Sequence, residues 1–206
     1  MGIFVHEKTG EFHLYNNEIS YIMKVLRNGQ LGQLYFGKRI AQKDNYDYMI
    51  ENSYRPTSAY VFEGEYSFSL EHLKQEYPSY GTSDFRMPAV EILQKNGSRI
   101  TNFTYVSSKV YAGKPKLASL PATYTEKDEE ADTLEILLRD ELLNVELTLY
   151  YTIFNEENAI ARSARFENKG GEEMQLTTAM SLSLDLPDAD YAWMQFSGYW
   201  SRERHL

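Results

Sequence analysis

Val145-Glu146-Leu147-Thr148-Leu149-Tyr150-Tyr151-Thr152-Ile153 carries an apolar side chain at every odd position, while Glu146, Thr148 and Thr152 take the other parity. Successive side chains of a β-strand point to opposite faces, whereas a helix repeats about every 3.6 residues, so this polarity reads as one long half-buried strand. Met174 to Leu186 repeats the pattern. Its even set is Met174, Leu176, Met180, Leu182, Leu184 and Leu186, broken only by Thr178, against Gln175, Thr177, Ala179, Ser181, Ser183 and Asp185. Two such long strands, of nine and thirteen residues, imply a large sheet.

Working outward, Thr133 to Leu138 and Ile160 to Glu167 are further strands. Their connections are turn chemistry: Arg139-Asp140-Glu141, Asn155-Glu156-Glu157-Asn158 and Asn168-Lys169-Gly170-Gly171, each short enough for an antiparallel hairpin. Upstream, Phe12 to Tyr15, Ser20 to Leu26, Gln33 to Phe36, Ala89 to Leu93 and Phe103 to Tyr111 are strand candidates, with turns at Asn28-Gly29 and Asn96-Gly97. The best helical candidate is Leu70 to Glu76, after Ser69 as N-cap and stopped by Pro78. Many consecutive strands without a βαβ rhythm predict an all-β fold, a large antiparallel β-sandwich with little helix, spanning residues 1–206 as one domain. Lys43 to Tyr66 stands apart. It mixes Tyr46, Tyr48, Tyr54, Tyr60 and Tyr66 with Asp44, Asp47, Glu51, Arg55 and Pro56 in no period, and a long irregular loop in a compact domain is commonly functional.

Composition narrows the function. The 206 residues are 42% hydrophobic and 25% charged, with 17 Tyr, enough to bury a sizeable core. A formal net charge of -9 disfavours nucleic acid, whose binding requires cationic side chains to displace counterions. No apolar run approaches the about 20 residues of a membrane span, and Met1-Gly2-Ile3-Phe4-Val5-His6-Glu7 has no basic or apolar leader character, so a cytoplasmic location is expected. The absence of cysteine excludes a disulfide scaffold, a thiolate nucleophile and Cys-ligated zinc.

The chain offers no self-contained catalytic motif. His6, His13, His72 and His205 have no metal-ligand spacing, and there is no Gly-x-Ser-x-Gly elbow or phosphate loop, so neither metal nor cofactor is expected. Glycoside cleavage needs two carboxyl groups about 5 to 9 Å apart across a sugar, which no spacing along an acidic chain can reveal. Asp84-Phe85-Arg86 reads as a structural ion pair or as a sugar contact. The tyrosine loop and Trp193 to Trp200 suit carbohydrate, because sugar C–H faces stack on aromatic rings; core and interface packing is the competing reading.

Five blocks then converge: Leu31-Gly32-Gln33-Leu34-Tyr35-Phe36-Gly37-Lys38, Gln75-Glu76-Tyr77-Pro78-Ser79-Tyr80-Gly81-Thr82-Ser83-Asp84-Phe85-Arg86, Leu120-Pro121-Ala122-Thr123-Tyr124, Arg162-Ser163-Ala164-Arg165-Phe166-Glu167-Asn168-Lys169-Gly170 and Ser197-Gly198-Tyr199-Trp200-Ser201-Arg202-Glu203-Arg204. In this order they resemble the N-terminal region of bacterial α-galactosidases of glycoside hydrolase family 36. The resemblance implies a β-supersandwich of the galactose mutarotase-like kind, followed in the whole enzyme by a (β/α)8 barrel holding both catalytic aspartates and by a small C-terminal β domain. It implies retaining hydrolysis of terminal α-galactosyl residues from melibiose, raffinose or stachyose. It also implies that these 206 residues are a truncated, non-catalytic part, inactive alone. Many members resemble tetramers in which a sandwich loop completes a neighbour's sugar pocket. The matching stretch is about Glu51 to Tyr66, with Glu51, Asn52, Tyr54, Arg55 and Tyr66 as substrate-contacting candidates. A stand-alone carbohydrate-binding module and a purely structural oligomerisation domain are the alternatives.

Overall fold

The computed structural model describes residues 2–54, 60–118 and 121–205. Gly2–His6 (β1), Glu11–Tyr15 (β2), Ile19–Val25 (β3) and Leu31–Lys38 (β4) form an antiparallel meander in that order. Tyr60–Phe62 (β5) and Glu65–Ser69 (β6) make a separate hairpin, and Val90–Leu93 (β7) follows. Thr104–Ala112 (β8), Ala131–Asp140 (β9), Val145–Phe154 (β10) and Ile160–Asn168 (β11) form the second four-stranded meander, and Gln175–Ala179 (β12) pairs with β7.

The alternation in β10 works as its sequence predicts. Val145, Leu147, Leu149, Tyr151 and Ile153 are all buried, and register aligns Leu147 with Leu138 and Phe166, and Leu149 with Ile136 and Ala164. This inward row shares one core with Phe12, Leu14, Tyr21 and Met23 of the first meander, so the two sheets pack face to face as a β-sandwich. Each such fully buried aliphatic side chain contributes about 1.5–3 kcal/mol. The first meander is covered on its other face as well. Residues 40–50 lie over it, which is why polar Glu11, His13 and Ser20 are buried beside Ile22.

Three local expectations change. Leu70 to Glu76 is not a helix: one turn closes with Leu73 N donating to Leu70 O at 3.2 Å, and then the backbone pairs with the start of β4. Gln33 N donates to Lys74 O and Glu76 N to Leu31 O, both at 2.9 Å, so the unpaired groups of a sheet strand win the backbone from the local helical signal. Met174 to Leu186 is not one long strand. Only Gln175–Ala179 pairs, with a register shift between Leu176 and Thr178 at the one break in its alternation. Met174, Met180 and Leu184 rest on the core, whereas Leu176, Leu182 and Leu186 are exposed. Finally, Lys43 to Tyr66 is not wholly irregular, because it contains a single 3-10 turn at Asp47–Met49 and the beginning of the β5–β6 hairpin.

Candidate functional site

The root of the tyrosine segment is fixed by a polar seam. Tyr46 is fully buried, its backbone N donating to Glu11 Oε1 at 3.1 Å, while its hydroxyl lies 3.1 Å from His13 Nδ1 and accepts from Lys43 N at 3.0 Å. His13 Nε2 pairs with Ser20 Oγ at 2.9 Å, and Ser20 Oγ accepts from Ile40 N at 3.1 Å. Lys24 bridges Glu11 to Asp47. A β-strand face that would otherwise meet water is thereby used to hold residues 40–50 in place.

Burial, reinforced by the nearby Arg39 and His6, lowers the His13 pKa to about 4. The unfolded chain therefore takes up this proton first as pH falls. The stabilisation His13 provides is complete above pH about 6.5 and is lost progressively down to about 4, a loss of up to about 3 kcal/mol. Urea midpoints measured from pH 7.5 to 4 are expected to fall more steeply in the native sequence than in His13→Gln; parallel curves would contradict this assignment.

Beyond this root the chain rises into exposed aromatic rings. Gly64, at φ 75°, supplies the left-handed residue that the tight β5–β6 connection needs. Packing within the chain then sets Tyr66 edge-on between Tyr54 and Tyr60, with ring centroids 5.8 and 5.6 Å apart. Tyr54, Tyr60 and Tyr66 remain 67%, 40% and 36% exposed. Glu51 is exposed with an oxygen 4.0 Å from His72 Nδ1, and Asn52 is exposed one residue on. Of the five residues proposed from sequence, Tyr54 and Tyr66 are brought together, Glu51 and Asn52 flank them, and Arg55 lies outside the described residues. Tyr60, which completes the ring cluster, lies within the same tyrosine-rich segment and is selected only by the hairpin pairing.

Neither Glu76 nor Arg162 was singled out from sequence, although both lie inside the quoted blocks. Glu76 is fully buried; its carboxylate accepts from Tyr21 Oη, from Tyr151 Oη at 2.7 Å and from Arg162 Nη2 at 3.0 Å. Arg162 also donates to the carbonyls of Glu76 and Ser183, at 3.1 and 3.0 Å. Burial pushes the Glu76 carboxyl upward, opposed by Arg162 and the two hydroxyls. This acid is saturated with donors and sealed from solvent, so it joins the two sheets rather than meeting a substrate. A signal existed: Arg162 stands at the core-facing parity of β11, opposite Tyr151, and an inward guanidinium requires a buried acid. Asp84-Phe85-Arg86 resolves similarly as an ion pair, with Asp84 buried and Arg86 Nε 2.9 Å from its Oδ1. Among the described residues no group of three or more His, Asp or Glu side chains could hold a metal ion.

Residues 29–206 match the Glycosyl hydrolase family 36 N-terminal domain. The chain belongs to this family. Across its whole length the domain is 43% identical to α-galactosidase AgaA of Geobacillus stearothermophilus, of which it spans 28%. The crystal structure of the α-galactosidase from Lactobacillus brevis superposes with a TM-score of 0.92 at 40% identity, covering 98% of this chain and 27% of that one. A variant of the Geobacillus AgaA enzyme, solved in complex with stachyose, gives a TM-score of 0.86 at 46% identity over 94% of this chain and 27% of its own. The family 36 N-terminal domain thus accounts for the sandwich described here, and no helix of the described residues is long and apolar enough to cross a membrane.

Proposed function

We propose that this domain serves a cytoplasmic α-galactosidase that removes terminal α-galactosyl residues, with retention, from raffinose-type oligosaccharides. Its two catalytic carboxylates would reside in a barrel outside these 206 residues. The domain would assemble the enzyme as a homo-oligomer, a tetramer, and lay its tyrosine hairpin against a neighbouring subunit's sugar pocket. The observation that carries this reading is the exposed Tyr54–Tyr66–Tyr60 cluster standing on a rigidly anchored root, in a family whose named relatives include α-galactosidases. Stacked tyrosines offer flat apolar faces with a polar rim, the surface that binds sugar rings. Arg55, the cation of the same segment, would contact hydroxyls of the substrate.

Two measurements test it. The 206-residue chain alone is expected to give no turnover of p-nitrophenyl α-galactoside above a blank. In the enzyme that carries the barrel, Tyr66→Ala and Arg55→Ala are each expected to raise KM for raffinose by about tenfold, equivalent to about 1.4 kcal/mol of lost binding. Unchanged raffinose kinetics in both variants would rule out pocket completion. Calorimetric titration of the isolated chain with galactose and raffinose separates this role from a free-standing sugar-binding module, for which saturable heat is required.

A further inference from the structure

Gly81, Thr82 and Ser83 occupy three successive left-handed conformations, with φ of 97°, 50° and 75°. Glycine takes such angles freely, but a β-branched threonine does not, and strain of this kind persists only where the surroundings over-determine it. They do so here. Gly81 N donates to Asp84 O at 2.7 Å and Asp84 N to Gly81 O at 3.0 Å. Asp84 accepts from Arg86 and from Gln75, while Arg86 Nη2 donates to the carbonyls of Leu70 and Leu73, each at 2.8 Å. Gln30 Nε2 reaches Thr82 Oγ1 at 3.1 Å, and Ile100 sits so close that a Cβ on Gly81 would fall 2.7 Å from its Cδ1. The turn is thus bolted to Gln30 just before β4, to the Leu70–Gln75 segment and, through Ile100, to the loop that precedes β8. From this support Ser83 Oγ donates at 2.9 Å to the carbonyl of Tyr60, the first residue of β5.

We propose that the strained turn Gly81–Asp84 is a clamp for the tyrosine hairpin, and that Ser83 is a positioning residue for sugar recognition by Tyr60 and Tyr66. The inference rests on the reading that this hairpin meets the substrate. Its physical logic is that a two-stranded hairpin is marginal by itself and needs an outside hold to present rings at a fixed angle. The left-handed backbone at Ser83 is what turns its hydroxyl toward Tyr60 while the rest of the motif bonds to the scaffold. The same motif, Gln75 to Arg86, carries Tyr80 and Phe85 as an exposed edge-on pair beside the clamp.

Ser83→Gly in the full enzyme is the decisive variant, because glycine keeps the backbone angle without strain and removes the hydroxymethyl group that bears the Tyr60 contact. Hydrogen exchange of the amides in residues 60–69 is expected to rise by about fivefold, the worth of one hydrogen bond, with the thermal midpoint unchanged or higher. KM for raffinose rises by about the same factor with kcat within about twofold, and Ser83→Asn, which restores a donor at a residue tolerant of this angle, reverses both. Unchanged exchange in Ser83→Gly overturns the clamp. A faster hairpin with unaltered KM, while Tyr66→Ala raises KM, overturns the positioning role; an unaltered KM in Tyr66→Ala instead removes the pocket reading and the positioning role with it. Exchange rising uniformly through β9 and β10 would show general loosening and equally defeat the proposal.

Discussion

Glu76→Ala is expected to destabilise the domain by about 3–5 kcal/mol, because it strands the guanidinium of Arg162 and the hydroxyls of Tyr21 and Tyr151 in the interior. The magnitude follows from asymmetry. A completed buried pair is worth little against a hydrophobic replacement, since desolvation offsets most of its attraction, whereas half a pair keeps the desolvation cost and loses the partner. Glu76→Gln should fall between, retaining an acceptor for one tyrosine but leaving the positive charge uncompensated. Adding Arg162→Met to Glu76→Ala should then recover part of the loss, an interaction energy of opposite sign to either single change. Urea unfolding of the native chain, Glu76→Ala, Arg162→Met and the double variant measures this directly. Strictly additive losses would mean that the carboxylate and guanidinium act independently, and the sheet-to-sheet joint assigned to them would be wrong.

This joint also shows where sequence reasoning reaches and where it stops. β9, β10 and β11 are legible because one face is apolar and the other is not, so parity alone sorts their side chains. β2 and β3 are harder. Glu11, His13 and Ser20 look solvent-facing by type, yet they are buried beneath residues 40–50, a layer that no local pattern announces. Leu70 to Glu76 carries a real helical signal, but the open edge at Leu31 and Gln33 offers its backbone better partners. The candidate site is legible as a concentration of tyrosines and not as a geometry. That Tyr66 stands between Tyr54 and Tyr60 follows from a three-residue strand, β5, too short to leave a period. The pairing of Glu76 with Arg162 spans 86 positions and becomes visible only after the β10–β11 register is known.

The two alternating segments that decide the fold predict opposite responses to the same substitution. Leu147→Ala is expected to cost about 3–5 kcal/mol, since Leu147 is fully buried between Leu138 and Phe166 in the row that meets the opposite sheet, and a cavity there has rigid walls on all sides. Leu182→Ala in the same 206-residue chain is expected to stay within about 0.5 kcal/mol, because Leu182 is 52% exposed and lies beyond the end of β12. Alternation reports which side of a strand is apolar; it says nothing of whether another layer covers that side. Leu182 and Leu186 continue into Tyr191, Trp193, Phe196 and Trp200, with the two tryptophans 91% and 86% exposed. Apolar side chains exposed in this number along one segment favour association or a covering layer. The isolated chain should therefore bind a hydrophobic dye and sediment as a concentration-dependent oligomer, and Leu182→Ser with Trp193→Ser should reduce both without lowering the urea midpoint. Equal destabilisation by Leu147→Ala and Leu182→Ala would mean that the second segment is packed as tightly as β10, and the separation drawn between paired and uncovered alternation would fall.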